Sequence, residues 1–419
     1  MDAFTTRSGE LWCEDVRLAD VAAAVGAPVY VYSATAFEQR YRDFSDAFGG
    51  EALVAYAVKA NSNLSVLKTL FDLGAGADTV SEGEIRRALA AGADPGRIVF
   101  SGVGKTSAEI AFALKTGVAE INVEAEPELA RVAEVAASLD LRAPVAFRVN
   151  PDVAAGGHAK IATGKAENKF GVSFAEAKAL YAQASNHAHL NPVGVACHIG
   201  SQILDLDPFE AAFRRMRGLV ESLRAEGLSV ERLDLGGGLG VDYFNGAPPP
   251  PSVQDYAAMV RRVTDGLDVK LAFEPGRWIS ANAGVLMSQV IHVYTRPEGR
   301  RFLVVDAAMN DLVRPAMYDA YQDIRPVQQR AGAAGAYDVV GPVCETGDTF
   351  ARDRVLPPFA AGDLLAFMSA GAYGAVMSSE YNTRPLVPEV LVRGDRFAVV
   401  RARPTYEEML AREPMAAWL

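Results

Sequence analysis

Four short stretches carry residue types that could do chemistry, and each stands at the end of an apolar run. The first is Tyr56-Ala57-Val58-Lys59-Ala60-Asn61, which closes the run 52–58. A lysine desolvated at a strand end can lose its proton and attack a carbonyl to form a Schiff base. Taken alone, Lys59 reads more simply as a solvated surface charge. The second is His198-Ile199-Gly200-Ser201-Gln202, after the run 193–197. It offers a flat imidazole to stack on a ring and a hydroxyl to reach a phosphate, although a lone histidine is more often packed or on the surface. The third, Gly236-Gly237-Gly238-Leu239-Gly240, follows the run 230–235, and such a turn lets backbone N–H groups approach phosphate oxygens. A dinucleotide fold would open a helix at once and place an acid about 20 residues on. Here Val241, Asp242, Tyr243 and Phe244 follow, then prolines, so a single phosphate fits better. The fourth, Glu274-Pro275-Gly276-Arg277, ends the run 271–273. Its carboxylate could pair with Arg277 alone, or bond a protonated ring nitrogen of the kind a pyridinium carries. An anchoring lysine, a stacking histidine, a phosphate turn and a ring-nitrogen acid on one rim together describe a pyridoxal phosphate site.

Such groups need a frame that brings strand ends together. Eight short apolar runs end near Val58, Val80, Phe100, Val123, Val149, His198, Leu235 and Glu274. Helical patterns at 64–73, 82–91, 107–115, 127–139, 174–184, 208–225 and 253–265 lie between most of them. Strands alternating with helices imply parallel βαβ units. Eight units over about 230 residues suit a closed (β/α)8 barrel of TIM type better than an open sheet, and in such a barrel the strand C-termini form the active face. From residue 285 the rhythm changes to strand-like runs at 285–294, 302–305, 339–343, 364–368, 387–392 and 397–400 without regular helices. That pattern predicts a second, mainly β domain, a β-sandwich or small barrel. The expected division is a barrel over 37–284 and a β domain over 285–419, joined by the segment 1–36. That segment holds a helical pattern at 18–25 and an extended Val29-Tyr30-Val31-Tyr32. Two stretches read as long loops. Residues 152–169 are rich in glycine, lysine and alanine, and a loop of that length in a compact domain is often a lid or binding segment. The four prolines 248–251 read as a stiff surface detour.

The second domain adds candidates of its own. Cys344-Glu345-Thr346-Gly347-Asp348 follows a strand, and its acids suit a site better than a core. Gly371-Ala372-Tyr373-Gly374 is flexible backbone bearing one phenol, a plausible phosphate partner. Arg314-Pro315-Ala316-Met317-Tyr318 and Tyr381-Asn382-Thr383-Arg384-Pro385 supply cations and hydroxyls, though each arginine reads equally as a surface charge. No metal spacing such as HExxH or CxxC occurs.

At 419 residues the chain is too long for one ordinary core, which makes two domains the default. The net charge of -11 argues against nonspecific binding to nucleic acid or an anionic membrane. Cys13, Cys197 and Cys344 have no framework spacing and read as reduced thiols of a cytoplasmic protein. The first residues lack the apolar core of a signal peptide, and no run of 18 apolar residues suggests a membrane span.

Taken together, YAVKAN at 56–61, HIGSQ at 198–202, GGGLG at 236–240, EPGR at 274–277, CETGD at 344–348 and GAYG at 371–374 resemble the fold-type III pyridoxal-phosphate decarboxylases. Within that group they are most similar to the branch acting on diaminopimelate. The resemblance covers nearly the whole chain, in order. It implies an alanine-racemase-like barrel plus a β domain, pyridoxal 5'-phosphate as cofactor, and a homodimer with active sites completed across the interface. It further implies conversion of meso-2,6-diaminopimelate to L-lysine and carbon dioxide. By similarity, Lys59 is the Schiff-base lysine, His198 stacks on the cofactor ring and Glu274 holds its nitrogen. Ser201, Gly238, Gly240, Gly276, Arg277 and Tyr373 would contact the phosphate. Arg277, Arg314, Tyr318, Glu345 and Tyr373 would hold the substrate. Cys344 would return the proton, arriving with Glu345 from the partner chain. The family's commoner form of the cysteine motif reads CESGD, so Thr346 is a hydroxyl swap. Ornithine- and arginine-type relatives carry Asp where Glu345 stands, and alanine racemases place an arginine where Glu274 stands. A non-catalytic cofactor-binding homeostasis protein would resemble a lone barrel, without residues 285–419.

Overall fold

The computed structural model describes residues 3–153 and 170–419, so most of the loop expected at 152–169 lies outside the described residues. The chain divides into two compact units. One comprises Glu38–Asp242 and Pro248–Ile279, the other Met1–Phe37, Tyr243–Ala247 and Ser280–Leu419.

The first unit is a closed barrel of eight parallel strands: Leu53–Ala57, Gly76–Thr79, Ile98–Phe100, Glu120–Val123, Ala143–Arg148, Leu190–Ala196, Arg232–Asp234 and Lys270–Phe273. The last strand pairs with the first, Ala272 opposite Leu53 and Phe273 opposite Val54, which closes the circle. Helices return the chain between strands, and local chemistry starts them sharply. The side chains of Asn63, Ser81, Thr106, Ser173 and Ser252 each accept an N–H of the first turn that follows. At Thr106 and Ser173 a glutamate three residues on reaches back to complete a capping box. Each such cap stabilises its helix by about 1 kcal/mol. The strands are short and buried on both faces, as parallel strands between helices must be.

A helix over Ala34–Ala47 has no counterpart among the expected elements. Its sequence is polar on average, but Phe37, Tyr41 and Phe44 recur at helical spacing and are buried. Phe44 packs edge-on against Phe273 of the last strand and against Trp278.

The second unit is mainly β. Phe4–Arg7, Glu10–Cys13 and Val16–Arg17 form a small antiparallel sheet. Nine further strands join in one branched sheet whose hub is the long strand Gly284–Thr295. Its first half pairs with Val29–Ser33 and Leu364–Phe367, and its second half with Arg301–Val305. The strand Val29–Ser33 is buried throughout, antiparallel to Gly284–Thr295 on one side and parallel to Glu389–Arg393 on the other. Val29, Val31, Val285, Met287, Val390 and Val392 belong to one apolar core. Thr349–Leu356, which the apolar runs did not reveal, is an edge strand carrying Arg352, Asp353 and Arg354. Charge on an edge blunts further pairing and hides the strand from a hydrophobic reading.

The stretch just before the four prolines also belongs to this unit. The Arg314 guanidinium lies 4.7 Å from the Tyr243 ring centroid, and Arg325 lies 5.2 Å from that of Phe244. No helix among the described residues is long and apolar enough to cross a membrane.

Candidate active site

The rim formed by the C-terminal strand ends of the barrel carries a dense set of polar groups. The first strand passes into a short 3-10 turn, Val58–Ala60, which places Lys59 at the strand's C-terminal end. Its ammonium pairs with Asp78, a carboxylate wholly buried on the second strand. His198 follows the sixth strand, and its Nδ1 accepts the Gly237 N–H at 3.2 Å. Glu274 follows the eighth strand and accepts from Ser101 Oγ at 3.5 Å. Asn122 Nδ2 donates to that same hydroxyl at 3.0 Å. Arg277, buried, donates from Nε to Ser201 Oγ at 3.1 Å. Thus Lys59, His198, Ser201, Gly238, Gly240, Glu274, Gly276 and Arg277 all lie on segments of one unit that leave the barrel at the same end.

The glycine-rich turn is shaped by close approach. An added Cβ at Gly236 would lie 2.3 Å from the Cys197 carbonyl oxygen, and one at Gly237 would lie 2.3 Å from that of Glu274. Gly240 donates its N–H to Ile203 O at 3.0 Å, while Ile203 N–H donates to Gly238 O at 3.0 Å. Gly236 gives its N–H to Asp234 Oδ1 at 2.7 Å, and Val241 gives its own to Gln202 Oε1 at 3.1 Å. Among the described residues, the N–H groups of Gly238 and Leu239 have no hydrogen-bond partner in this turn, and they would be available to an anion. Gly240 contributes space instead, since a Cβ there would meet Leu204 at 2.7 Å.

Beneath the rim the barrel interior is unusually acidic. Arg232 Nη1 reaches Glu120 Oε2 at 2.6 Å across the barrel. Asp78 Oδ1, Glu120 Oε1, Asn122 Oδ1 and Asp234 Oδ2 are buried with no hydrogen-bond partner among the described residues. Burial, with Glu120 beside it, raises Asp234 to about 7. Burial first, then Asp234 and Asp78, pushes the Glu274 carboxyl well above the usual range. Burial, then Arg148 and Lys59, holds the His198 imidazole well below its ordinary value.

These features fit pyridoxal phosphate. A lysine stands at a strand end, the glycine turn, Ser201 and Arg277 would offer donors to a phosphate, and a buried acid would be stabilised by a cationic ring nitrogen. The unpartnered buried acceptors below the rim leave positions that a bound water or a ligand donor would satisfy.

The second-domain candidates lie in the other unit. Arg314 is buried at the start of the short helix Arg314–Tyr318, which Tyr318 ends. Cys344 and Glu345 are exposed, and the Glu345 carboxylate accepts from the Tyr381 phenol. Asp348 of the same motif has a different task. It is buried and accepts the N–H groups of Met309 and Val343, each at 2.7 Å, which folds the turn that displays Cys344 and Glu345. Tyr373 holds a left-handed backbone, φ 54°, a conformation kept only where surroundings enforce it.

A closed parallel barrel with this rim, in a chain that also carries a β domain, is the frame of a pyridoxal-phosphate enzyme. The chain belongs to the pyridoxal-dependent decarboxylases: residues 34–281 match the family described as "Pyridoxal-dependent decarboxylase, pyridoxal binding domain". Over its whole length it is similar to diaminopimelate decarboxylases. It is 51% identical to that of Pseudomonas aeruginosa over 99% of both chains, and 49% identical to that of Zymomonas mobilis over 100% of both. The solved structure of diaminopimelate decarboxylase from Helicobacter pylori complexed with L-lysine superposes with a TM-score of 0.90 at 42% identity. The match covers 94% of this chain and 98% of that one.

Asp78, Ser101, Asn122, Glu124 and Arg148 were not among the sequence candidates. A signal existed: Glu120, Asn122 and Glu124 alternate with apolar residues. Polar groups at period two in a barrel strand must line its interior.

Proposed function

We propose that this chain is a carboxy-lyase that decarboxylates meso-2,6-diaminopimelate to L-lysine and carbon dioxide, the last step of lysine biosynthesis, with pyridoxal 5'-phosphate as cofactor. When bound, the cofactor supplies a protonated pyridine ring that accepts the electron pair left as carbon dioxide departs. Lys59 would hold its aldehyde carbon, His198 would lie against the ring, and Glu274 would keep the ring nitrogen protonated. Ser201, Gly276, Arg277, Tyr373 and the turn around Gly238 and Gly240 would hold the phosphate.

Substrate recognition then follows from charge. Diaminopimelate carries two carboxylates and two ammonium groups. Arg277 and Arg314 are suited to carboxylates, for which a guanidinium fork offers paired donors. Glu345 suits the distal ammonium, and Tyr318 and Tyr373 add hydroxyls. Cys344 would return the proton to the carbon that lost its carboxylate. Cys344 and Glu345 would come from the partner of a homodimer in the cytoplasm.

The observation that carries this reading is the convergence of Lys59, His198 and Glu274 on one barrel rim, in a chain alike from end to end to diaminopimelate decarboxylases. The test is carbon dioxide release from meso-diaminopimelate, ornithine and arginine by the purified protein. Turnover of diaminopimelate far above the other two is expected. Preference for ornithine or arginine, or full activity in Lys59→Ala, would overturn the reading.

A further inference from the structure

Building on the cofactor reading above, we propose that the turn at residues 236 and 237 is a positioning element. It locks His198 in the neutral tautomer protonated on Nε2 and ties that ring to the strand end bearing Glu274.

The hydrogen bond sets the tautomer. A backbone N–H can only donate, so the ring nitrogen that meets the Gly237 N–H at 3.2 Å must present a lone pair. With Nδ1 bare, a neutral imidazole carries its proton on Nε2. The same turn reaches the other way, because Gly236 O accepts the Glu274 N–H at 2.8 Å. Two consecutive glycines thus touch both residues proposed to hold the cofactor ring. Space gives an independent sign of this seating. A Cβ at Gly236 would lie 3.1 Å from His198 Nδ1 and 3.2 Å from its Cβ, so the imidazole edge rests directly on the turn.

The charges around the ring act in the same sense. Arg148, at the end of the fifth strand, pairs in register with Ala196, two residues before His198 and hence on the same face. Arg148 and Lys59 both disfavour a positive imidazole. The nearby acids Glu274 and Asp234 are themselves driven toward their neutral forms by burial, and the Cys197 thiol is pushed up as well. A ring held in this way presents an uncharged face and cannot pass a proton through Nδ1.

The test is two-bond ¹H–¹⁵N correlation NMR of ¹⁵N-histidine-labelled protein, with and without pyridoxal phosphate. The chain has five histidines, and His198→Asn identifies the signal of interest by its loss. A bare Nδ1 and a protonated Nε2 are expected, unchanged between about pH 5.5 and 8.5, where a free imidazole would titrate. An Nδ1-protonated ring, or titration within that window, would overturn the proposal. His198→Phe keeps an aromatic face but leaves the Gly237 N–H unpaired. It should weaken pyridoxal phosphate affinity by about tenfold or more, in line with the cost of an unsatisfied buried donor; unchanged affinity would count against the turn as a positioning element. If the protein fails to act on diaminopimelate, the substrate reading falls, while the tautomer measurement still decides this one.

Discussion

Lys59 and Asp78 form an ion pair in which the acid is wholly buried and the lysine side chain stays 38% exposed. The carboxylate is thus a fixed anchor, and the partly exposed ammonium is the end of the pair that solvent reaches. Asp78→Asn keeps the shape and removes the charge. The variant is expected to lose about tenfold in turnover, corresponding to roughly 1.4 kcal/mol of barrier, with slower attachment of pyridoxal phosphate followed by its visible absorbance. Lys59→Ala should lose both the absorbance and the activity. An Asp78→Asn protein with wild-type attachment kinetics would remove the carboxylate from the account.

Asp234 makes stability depend on pH in a direction opposite to that of an ordinary surface carboxylate. It is held near 7 in the folded chain against about 4 when unfolded. Between those values the folded state carries a proton that the unfolded state does not, so this group's contribution falls as pH rises from about 4 to about 7. Asp234→Asn abolishes the effect and retains an oxygen for the Gly236 N–H. Compared with wild type, the cofactor-free variant should gain stability with rising pH by roughly 1 kcal/mol per unit across that window, with no further gain above it. Thermal midpoints of the two proteins at about pH 4.5 and pH 7 check the sign.

Asp348 carries a prediction that separates the two units. Its carboxylate satisfies the N–H groups of Met309 and Val343, so Asp348→Ala leaves two donors unpaired, at a cost of about 2–4 kcal/mol. The turn bearing Cys344 and Glu345 should loosen. Decarboxylation should fall by at least about tenfold, while pyridoxal phosphate absorbance at Lys59 stays intact. Loss of the absorbance in parallel with activity would assign Asp348 a global role instead.

Mixed dimers test where Cys344 acts. If the chain forms a homodimer and Cys344 serves the partner's site, inactive Lys59→Ala and Cys344→Ala chains, exchanged together, should regain activity through dimers holding one native site. Random assortment of a two-fold dimer limits the recovery to about a quarter of wild type. No recovery after demonstrated subunit exchange would place Cys344 in the site of its own chain.

Much of the frame was legible before any coordinates. The eight strand ends fall within about two residues of the apolar runs, because parallel barrel strands are buried on both faces and write themselves as continuous hydrophobic stretches. The helix at 34–47 leaves little trace in the sequence, since beyond Ala34 its buried side is marked by Phe37, Tyr41 and Phe44 in an otherwise polar segment, and the edge strand Thr349–Leu356 is masked by its charges. The motif CETGD looked like a uniform cluster. Depth divides it into a buried acid that folds the turn and an exposed pair that the turn displays.

The sequence by itself determined the residue types and their strand-end positions: Lys59, His198, the glycine turn and Glu274 each close an apolar run, and periodicity places such ends on one rim. Tertiary structure alone decided which polar atoms answer one another. That Asp78 holds Lys59, that Gly237 faces Nδ1 of His198, and that Gly240 gives its N–H to Ile203 depend on segments between about 20 and 40 residues apart in sequence being brought within hydrogen-bond distance by the parallel pairing of neighbouring strands. The physical reason is range. Hydrophobic pattern is a local property of the chain, whereas a hydrogen bond or an ion pair is specified only when two distant atoms are fixed to within a fraction of an ångström.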